Sequence, residues 1–211
     1  MALYRTLRGF LRLVVNPWLR VRSENTDVLD LPGATILAPV HRSNLDSALL
    51  ATQSRRRIRA LGKESLFTTP GVSYLCAALG AIPVRRGEAD RDALKAAKYL
   101  LDKGETMIVF PEGGRQTGST ITELYDGAAW LAARTGARVI PVGIAGTEAA
   151  MPQGAKFLHR STVAIVPGDP MAAPVGAEGK RATRQQLQEF TAELSIQLQR
   201  AQNRAEALAQ A

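Results

Sequence analysis

The sequence predicts an α/β domain in which a mostly parallel sheet is flanked by helices. Short apolar runs of strand character alternate along the chain with amphipathic helical stretches, which is the pattern of β-α-β units. Several of these runs end in clusters of polar side chains, as expected at the carboxyl edge of a parallel sheet. With 211 residues, of which 45% are hydrophobic, the chain is long enough for one domain with a full core.

The first segment, residues 1–24, is predicted to be a basic amphipathic helix that associates with a membrane. Its first acidic residue is Glu24. Before it the segment contains five arginines: Arg5, Arg8, Arg12, Arg20 and Arg22. Its apolar residues fall on one helical stripe: Leu3, Leu7, Phe10, Leu11, Val14, Trp18 and Val21. A helix of this kind lies in a lipid interface and is attracted by anionic lipid. The alternative is a helix packed on the protein's own core with a solvated basic face, and Pro17 is expected to kink or restart it.

Residues 25–180 are predicted to form the main α/β domain. Its strands are expected at residues 34–39, near 60–62, and at 80–84, 106–110, 139–144 and 162–166. Its helices are expected at residues 47–53, 70–79, 90–102 and 123–134, with Gly104 and Gly136 as stop signals. The basic run 55–59 is expected to be a solvated face. Residues 181–211 are predicted to form a C-terminal helix over 185–198, followed by an Ala/Gln-rich tail that frays.

Composition narrows the classes of partner and site. A net charge of +8 favours an anionic partner: phosphates, acidic lipid or nucleic acid. Aromatic residues make up only 5% of the chain and the run 55–59 contains none, so a nucleic-acid partner is not expected. One cysteine, Cys76, and two distant histidines, His41 and His159, argue against a disulfide or a metal site and fit a reducing compartment. No apolar run reaches the roughly 18 residues of a spanning helix, and arginines interrupt any signal peptide.

The stretch that carries the chemistry runs from Val40 to Asp46, directly after the strand predicted at 34–39. A histidine is well suited to accept a proton near neutral pH, and a carboxylate can hold its ring. On a continuous helix a five-residue offset turns the two side chains about 140° apart. The pair therefore converges only if His41 lies in the turn before a helix and Asp46 in its first turn, with Ser43 or Asn44 as the N-cap. The alternative is a capping box in which Asp46 only satisfies backbone donors and His41 bonds a carbonyl.

Three further polar clusters are predicted at strand ends: Lys63-Glu64, Arg85-Arg86, and Glu112 to Arg115. Together with the histidine they suit a phosphate-bearing substrate with a hydroxyl to be activated, because arginine grips phosphate through two parallel hydrogen bonds.

Each of these residues also has an alternative interpretation. Glu112 is expected either to bind a substrate hydroxyl or to orient Arg115, and the two adjacent glycines allow close backbone approach. Otherwise Arg115 forms a surface salt bridge to Glu112 or Glu123, Arg85 is simply solvated, and Lys63 is a charge at a strand edge.

These blocks resemble those of the glycerolipid acyltransferases, the 1-acyl-glycerol-3-phosphate acyltransferase family. His41 and Asp46 match its His-x4-Asp block, and residues 80–86 match a second block that ends in arginine. Residues 110–115 match its Phe-Pro-Glu-Gly-Thr-Arg block, and residues 140–142 match an apolar-Pro-apolar strand. Order and spacing agree over roughly residues 30 to 170. Three positions depart from the usual pattern: Gly114 stands for threonine, Pro83 for phenylalanine, and Arg85 for an acid.

The resemblance implies transfer of a fatty acyl group from acyl-CoA or acyl-carrier protein to the free hydroxyl of a lysophospholipid. The expected acceptor is 1-acyl-glycerol-3-phosphate, giving phosphatidic acid, with His41 as general base and Asp46 behind its ring. Apart from the acyl donor as co-substrate, no cofactor or metal is implied. The expected location is peripheral, on the cytoplasmic face of a membrane.

The resemblance also assigns the remaining site residues. The acceptor's glycerol-phosphate is expected to be held by Lys63, Arg86, Glu112, Gly113 and Arg115. Ile140, Pro141 and Val142 are expected to line the acyl or acceptor cleft, although a buried central strand explains them equally well. Two alternative functions remain open at this point: a thioesterase on the same scaffold, and transfer to another acceptor such as a different lyso-lipid, glycerol-3-phosphate or a glycolipid.

Overall fold

The architecture is that of a computed structural model, which describes residues 2–63, 67–68, 71, 73–74, 80–84, 91–155, 157–176 and 180–211. Within these residues one sheet contains the strands β1 (Arg22–Ser23), β2 (Thr35–Pro39), β3 (Ile58–Lys63), β4 (Ala81–Val84), β5 (Thr106–Ile108), β6 (Arg138–Ala145) and β7 (Ala164–Pro167). The described helices are α1 (Ala2–Phe10), α2 (Asn16–Trp18), α3 (Asp46–Thr52), α4 (Arg91–Asp102), α5 (Gly127–Thr135), α6 (Thr147–Ala150) and α7 (Arg184–Gln210). The helix predicted over 70–79 falls mostly outside the described part of the chain.

The sheet confirms the predicted fold class and brings two reactive loops together. Its strand order is β1-β7-β6-β2-β5-β3-β4. From β6 to β4 all neighbours are parallel, and only the β6–β7 pair is antiparallel. Because β2 and β5 pair in parallel, with Leu37 opposite Ile108, the loops that follow them leave the same edge of the sheet side by side. The first of these loops contains His41 and the second contains Glu112.

Helices cover both faces of the sheet, as a parallel sheet requires. Successive residues of β2 point to opposite faces, so Leu37 packs in one core cluster and Ile36 in the other. The Leu37 cluster includes Leu49 from α3, whereas the Ile36 cluster includes Leu101 from α4 and Leu131 at α5. β2 is the middle strand of the sheet and all five of its residues are buried, so it lies at the centre of the hydrophobic core. Each fully buried large apolar side chain contributes about 1.5–3 kcal/mol.

Helix α7 corrects the prediction of a short C-terminal helix with a frayed tail. It is continuous over 27 residues, and Ala201, Gln202 and Ala205 in the expected tail are buried. The Gln202 side chain accepts a hydrogen bond from the Ile144 backbone N–H of β6 at 3.0 Å. A Cβ on Gly143 would collide with the backbone of Ala201, so glycine is needed for this close approach. Contact with β6, rather than helix propensity, therefore orders the last turns of the chain.

The N-terminal segment is helical, as predicted, and part of it packs on the protein's own core. Tyr4 and Leu19 are buried, and the Tyr4 hydroxyl accepts a hydrogen bond from the Ile58 N–H at 3.1 Å. Other large apolar residues of the segment are exposed to solvent, and their association with a membrane stays a prediction: Leu3, Phe10, Leu13, Val14 and Trp18. The backbone stays helical through Leu11–Val15, where the bonding changes to the wider π pattern just before Pro17, which has no N–H to donate. Across the described residues we find no helix that is both long and apolar enough to span a membrane.

Two local predictions are wrong. Helix α5 begins at Gly127 rather than at Glu123, although it ends, as expected, with Gly136 in the left-handed conformation. Part of the run 55–59 is not a solvated face: Arg56 donates to the carbonyl of Gly104 at 2.6 Å, and Arg59 pairs with Glu105 at 2.6 Å. In both cases tertiary contacts override the local pattern.

Candidate active site

The histidine and aspartate of the central stretch meet as the sequence predicts. His41 lies in the loop after β2, and Asp46 is the first residue of α3. His41 Nδ1 and Asp46 Oδ2 are 2.9 Å apart, and Asp46 is completely buried. Because a carboxylate only accepts hydrogen bonds, this contact puts the imidazole proton on Nδ1 and leaves the Nε2 lone pair available. No partner to Nε2 is found among the residues that the structure describes.

The same carboxylate also shapes the loop. Oδ2 of Asp46 accepts the backbone N–H groups of Arg42 and Ser43, at 2.7 and 2.8 Å. The predicted N-cap is wrong: Leu45 occupies that position without a side-chain hydrogen bond, while the Ser43 hydroxyl donates to the Met151 carbonyl at 3.0 Å. Satisfying backbone donors and orienting the imidazole are therefore not alternatives, since Asp46 does both.

Phe110 holds the plane of the histidine ring. It follows β5, and its ring stacks on the His41 imidazole with centroids 3.8 Å apart and an angle of 18° between the planes. The imidazole is therefore held by a hydrogen bond at one edge and by an aromatic ring across its face, and only 7% of His41 is exposed. A general base needs this kind of fixed orientation to reach a substrate proton.

A buried ion pair lies beside the histidine and involves a residue that the sequence did not indicate. Arg42 donates to Glu112 Oε2 at 2.7 Å, and both residues are buried. The same oxygen accepts the His41 backbone N–H at 3.1 Å, while Oε1 accepts from Thr122. Arg42 also donates to the carbonyls of Gly118 and Thr120. The expectation that Glu112 orients Arg115 is therefore wrong, because Glu112 pairs with Arg42.

The loop after β5 presents Gly113 and Arg115 near this pair. Gly113 has a positive φ of 71°, and a Cβ there would lie 2.7 Å from the Tyr125 ring, so both the backbone and the neighbouring ring favour glycine. The loop is joined to the histidine loop by the Gln116 N–H, which donates to the His41 carbonyl at 2.8 Å. Neither of the salt bridges considered for Arg115, to Glu112 or to Glu123, occurs among the described residues, so its guanidinium is free to bind an anion.

The other predicted phosphate ligands are described only in part. The backbone of Lys63 ends β3, and β3 runs parallel to β5, which places this position at the same edge as His41 and Glu112. Arg86 lies outside the described residues, and so does Arg85. Their roles stay predictions.

Ile140, Pro141 and Val142 are buried in β6, directly opposite Leu37, Ala38 and Pro39 of β2. Ile140 and Val142 belong to the hydrophobic core. This position matches the structural alternative, a buried central strand, and their part in an acyl cleft stays a prediction.

A cavity of about 420 Å³ borders the buried ion pair. Its walls come from Arg42, the end of β6, Thr147 and Glu148 of α6, and the last turns of α7. His41 is not among its lining residues, so this cavity is not the cleft in which a substrate would meet the base. In the described part of the chain no three histidine, cysteine, aspartate or glutamate residues are grouped as a metal site requires.

Sequence reasoning missed Arg42, Phe110 and Thr122 as contributors to the site. Arg42 stands next to the histidine and Phe110 within a matched block, yet their partners are distant in sequence and no local pattern indicates the contacts. The signal that was available is the apposition of the loops after β2 and β5, which follows from a parallel pairing of these strands.

Comparison with known proteins finds similarity both in sequence and in fold. The family described as Acyltransferase matches residues 20–145. The chloroplastic 1-acyl-sn-glycerol-3-phosphate acyltransferase LPAT1 of Arabidopsis thaliana is 29% identical over 146 residues, covering 68% of this chain and 40% of that protein. The chloroplastic 1-acyl-sn-glycerol-3-phosphate acyltransferase BAT2 of Brassica napus is 28% identical over 146 residues, with 68% and 42% covered. This chain thus spans about two fifths of the length of these relatives.

The fold also has a counterpart among solved structures. The crystal structure of the 1-acyl-sn-glycerophosphate (LPA) acyltransferase PlsC from Thermotoga maritima superposes with a TM-score of 0.75 at 23% identity. The match covers 97% of this chain and 79% of that one, so it includes the N-terminal helices and α7 as well as the sheet.

Proposed function

This chain belongs to the acyltransferase family, and from that premise we propose that it acylates a lysophospholipid. The donor is acyl-CoA or acyl-carrier protein, and the acceptor is 1-acyl-glycerol-3-phosphate, which becomes phosphatidic acid. The observation that carries the proposal is the His41–Asp46 contact of 2.9 Å, which leaves Nε2 open at the edge of the sheet where the loop with Glu112, Gly113 and Arg115 also lies. The relatives named as 1-acyl-sn-glycerol-3-phosphate acyltransferases support the choice of acceptor.

The mechanism follows from the orientation of the imidazole. Nε2 of His41 accepts the proton of the acceptor hydroxyl while the hydroxyl oxygen attacks the thioester carbonyl carbon. The tetrahedral intermediate then breaks its C–S bond, and the imidazolium returns the proton to the departing thiolate. Asp46 keeps the reactive tautomer and stabilises the imidazolium, which is the role that an acid plays behind histidine in hydrolase triads. The acceptor hydroxyl is itself the nucleophile, and the Ser43 hydroxyl is engaged with the Met151 carbonyl, which argues against an acyl-serine.

The acceptor phosphate is proposed to bind at the loop after β5, which contains Gly113 and Arg115 and lies beside the loop that contains His41. Arg115, three residues after Glu112, has no ion-pair partner among the described residues, and Gly113 lets a ligand approach the backbone closely. Lys63 and Arg86 complete the set through the family resemblance. Glu112 has both carboxylate oxygens engaged by protein donors, so we assign it to holding the histidine loop through Arg42.

Membrane association is the second part of the proposal. An acceptor with a long acyl chain resides in a bilayer, and the N-terminal helix exposes Phe10, Leu13, Val14 and Trp18 beside its arginines. Apolar residues flanked by cations are what an anionic interface binds. We place the protein peripherally on the cytoplasmic face, which fits a chain with a single cysteine.

The test is release of free CoA from a long-chain acyl-CoA, measured with and without lysophosphatidic acid. His41→Ala is expected to lower acceptor-dependent release by roughly 10²–10⁴-fold, the contribution typical of general-base catalysis. Asp46→Asn is expected to lower kcat with little change in KM. Asp102→Asn is the matched control, because Asp102 is an exposed aspartate on α4, paired with Lys98.

The outcomes separate the alternatives. Release that is independent of the acceptor, yet needs His41, would indicate a thioesterase. Release that depends on a different lyso-lipid or glycolipid would retain acyl transfer and change the acceptor. Full activity in His41→Ala would overturn the mechanism.

A further inference from the structure

A loop outside the family's motifs lies beside the N-terminal helix. This 151–160 loop comprises the residues from Met151 to Arg160, of which all but residue 156 are described. Its base is closed by the His159 N–H, which donates to the Ala150 carbonyl at 2.8 Å, and a turn from Pro152 to Ala155 lies within it. The loop therefore leaves the fold after α6 and returns before β7, with a hydrogen bond that joins its two ends.

Both ends of the loop are tied to functional parts of the molecule. At its start the Met151 carbonyl accepts the Ser43 hydroxyl from the loop that carries His41, at 3.0 Å. At its end the Arg160 guanidinium lies 5.8 Å from the centroid of the Trp18 ring, a cation–π geometry. Just beyond, the Val163 N–H donates to the Leu19 carbonyl at 3.1 Å. The 151–160 loop thus connects the reactive loop with the end of the N-terminal helical segment.

The loop exposes large apolar side chains, and so does the helical segment to which its end is joined. Phe157 is 79% exposed and Leu158 is 39% exposed, while Trp18 of the helical segment is 53% exposed. Arg160, whose guanidinium lies 5.8 Å from the Trp18 ring centroid, follows Leu158 by two residues, so the chain joins the two exposed apolar sets through this contact. Adjacent exposed apolar residues of this size on a protein surface mark an interaction site.

The charge around this surface indicates the kind of partner. Between Glu148 and Asp169 the sequence contains no acidic residue but does contain the cations Lys156 and Arg160. The N-terminal segment likewise has no acid before Glu24. Apolar and aromatic side chains that are accompanied by cations and by no acid in the sequence complement an anionic lipid interface, in which acyl chains receive the apolar groups and head groups receive the cations.

We propose that the 151–160 loop is a second lipid-contact element that docks together with the N-terminal helix on an anionic membrane surface. The inference rests on the membrane association proposed above and extends it to a separate segment. Its consequence for the reaction is positional: through Ser43 and Met151, the loop that inserts in lipid is bonded to the loop that holds His41. The N-terminal helix and the 151–160 loop together, rather than the helix alone, would then orient the His41 edge of the sheet toward the bilayer.

The first experiment measures sedimentation of the full chain with vesicles. The vesicles contain either phosphatidylcholine alone or equal parts of phosphatidylcholine and phosphatidylglycerol. The double variant Phe157→Ser, Leu158→Ser is expected to partition roughly tenfold or more weaker onto the anionic vesicles, since two apolar side chains leave the interface. Val175→Ser is the matched control: Val175 is 75% exposed and follows Met171, which pairs with Val139 near the opposite end of β6.

The second experiment detects insertion of the 151–160 loop into lipid directly and does not require a variant that binds vesicles less well. Trp18 and Trp130 are the only tryptophans in the chain, so both are replaced by phenylalanine and Phe157→Trp supplies a single probe. Quenching of its fluorescence by brominated lipids in the anionic vesicles is expected, whereas Val175→Trp in the same background should not be quenched.

The outcomes distinguish this inference from the proposal beneath it. If the wild-type chain does not bind anionic vesicles, both membrane proposals fail, while acyl transfer is still judged by CoA release. If the wild-type chain binds but the double variant binds equally well and the probe at 157 is not quenched, the helix alone docks and the loop inference is overturned. If the loop is instead a protein-binding surface, the same pattern of unchanged vesicle binding and an unquenched probe results.

Discussion

At the scale of single residues, one carboxylate oxygen organises the reactive loop. Oδ2 of Asp46 accepts three hydrogen bonds, from His41 Nδ1 and from the backbone N–H groups of Arg42 and Ser43. It can serve all three because a carboxylate oxygen accepts along a broad range of directions in the carboxylate plane. The spacing of five residues then has a physical meaning: it is the length of chain that folds around a single acceptor.

Arg115 is the residue whose substitution tests recognition of the acceptor phosphate. Arg115→Gln is expected to raise KM for lysophosphatidic acid by roughly ten- to a hundredfold, because a charge-assisted contact worth about 1.5–3 kcal/mol is lost. A lyso-lipid without the terminal phosphate should be affected little, since it makes no such contact. Steady-state kinetics with both acceptors make the measurement, and Arg200→Gln, on the exposed face of α7, is the control. An equal effect on both acceptors would contradict the assignment.

The Arg42–Glu112 pair makes a prediction about stability. Arg42→Met leaves a buried carboxylate without its cation and should lower the free energy of unfolding by about 3–5 kcal/mol. The double variant Arg42→Met, Glu112→Gln removes the charge as well and should be less destabilised than the sum of the single variants. Urea unfolding followed by circular dichroism supplies the three values. Strict additivity would mean that the two side chains do not act as a pair.

At the scale of elements, two neighbouring contacts hold the C-terminal helix α7 against the sheet. Helix α7 packs along β6, where Gly143 admits the backbone of Ala201 and Gln202 bonds the Ile144 N–H. Its first turn carries a complete capping box between Thr183 and Gln186. A local signal thus starts the helix, and packing on the sheet maintains it over the Ala/Gln-rich stretch that would fray if it were isolated.

Gly143→Ala tests whether this close approach holds α7 in place. The added methyl group meets helix backbone, which cannot move aside as a flexible side chain would, so we expect a loss of about 1–3 kcal/mol in the free energy of unfolding. Gly127→Ala, at the first residue of α5, is the matched control, since a Cβ there would meet no neighbouring atom within 4 Å and its φ is not positive. Thermal and urea unfolding of the two variants decide the question. Equal stability of both would show that α7 tolerates displacement from β6.

At the scale of the whole molecule, arginines from one segment join distant parts of the chain. Arg59 of β3 makes two hydrogen bonds to Glu105, at 2.6 and 3.2 Å, and Arg56 donates to the neighbouring Gly104 carbonyl at 2.6 Å. The hydrogen bond from Arg59 is the largest cause that lowers the pKa of Glu105 below its ordinary value, with further contributions from nearby cations. The chain carries a net charge of +8, so these pairs also relieve repulsion among its cations.

The lowered pKa of Glu105 gives the sign of a pH dependence. A carboxyl group whose pKa falls on folding stabilises the native state above its unfolded pKa, and this contribution is lost as the pH falls through the lower folded value. Glu105→Gln should therefore cost stability at neutral pH, by no more than about 1 kcal/mol because the pair is partly exposed, and the difference from wild type should vanish in acid. Urea unfolding across an acid-to-neutral pH series is the measurement. A difference that stays constant with pH would contradict the ion pair as its source.

Local pattern predicted much of the molecule. Alternation of strands and helices predicted the α/β class, the spacing from His41 to Asp46 predicted their convergence, and Gly136 predicted the end of α5. The family indicated by the four blocks is confirmed by the match to the acyltransferase family. Each predicted element, each single block and the histidine–aspartate pair involves residues close together in sequence, so short-range geometry is enough to indicate it.

What only the tertiary structure decided involves residues far apart in the chain. Arg42 and Glu112 are separated by 70 positions, and Phe110 reaches the His41 ring only because β2 and β5 are neighbours. The segment before α5 stays irregular because its Tyr125 N–H donates to the Pro111 carbonyl and its Asp126 carboxylate accepts the Thr191 hydroxyl. The sequence by itself determined the fold class, the family motifs and the histidine–aspartate pair. Strand order determined which side chains support that pair, because burial of an ion pair or a long helix depends on which surfaces the sheet brings into contact.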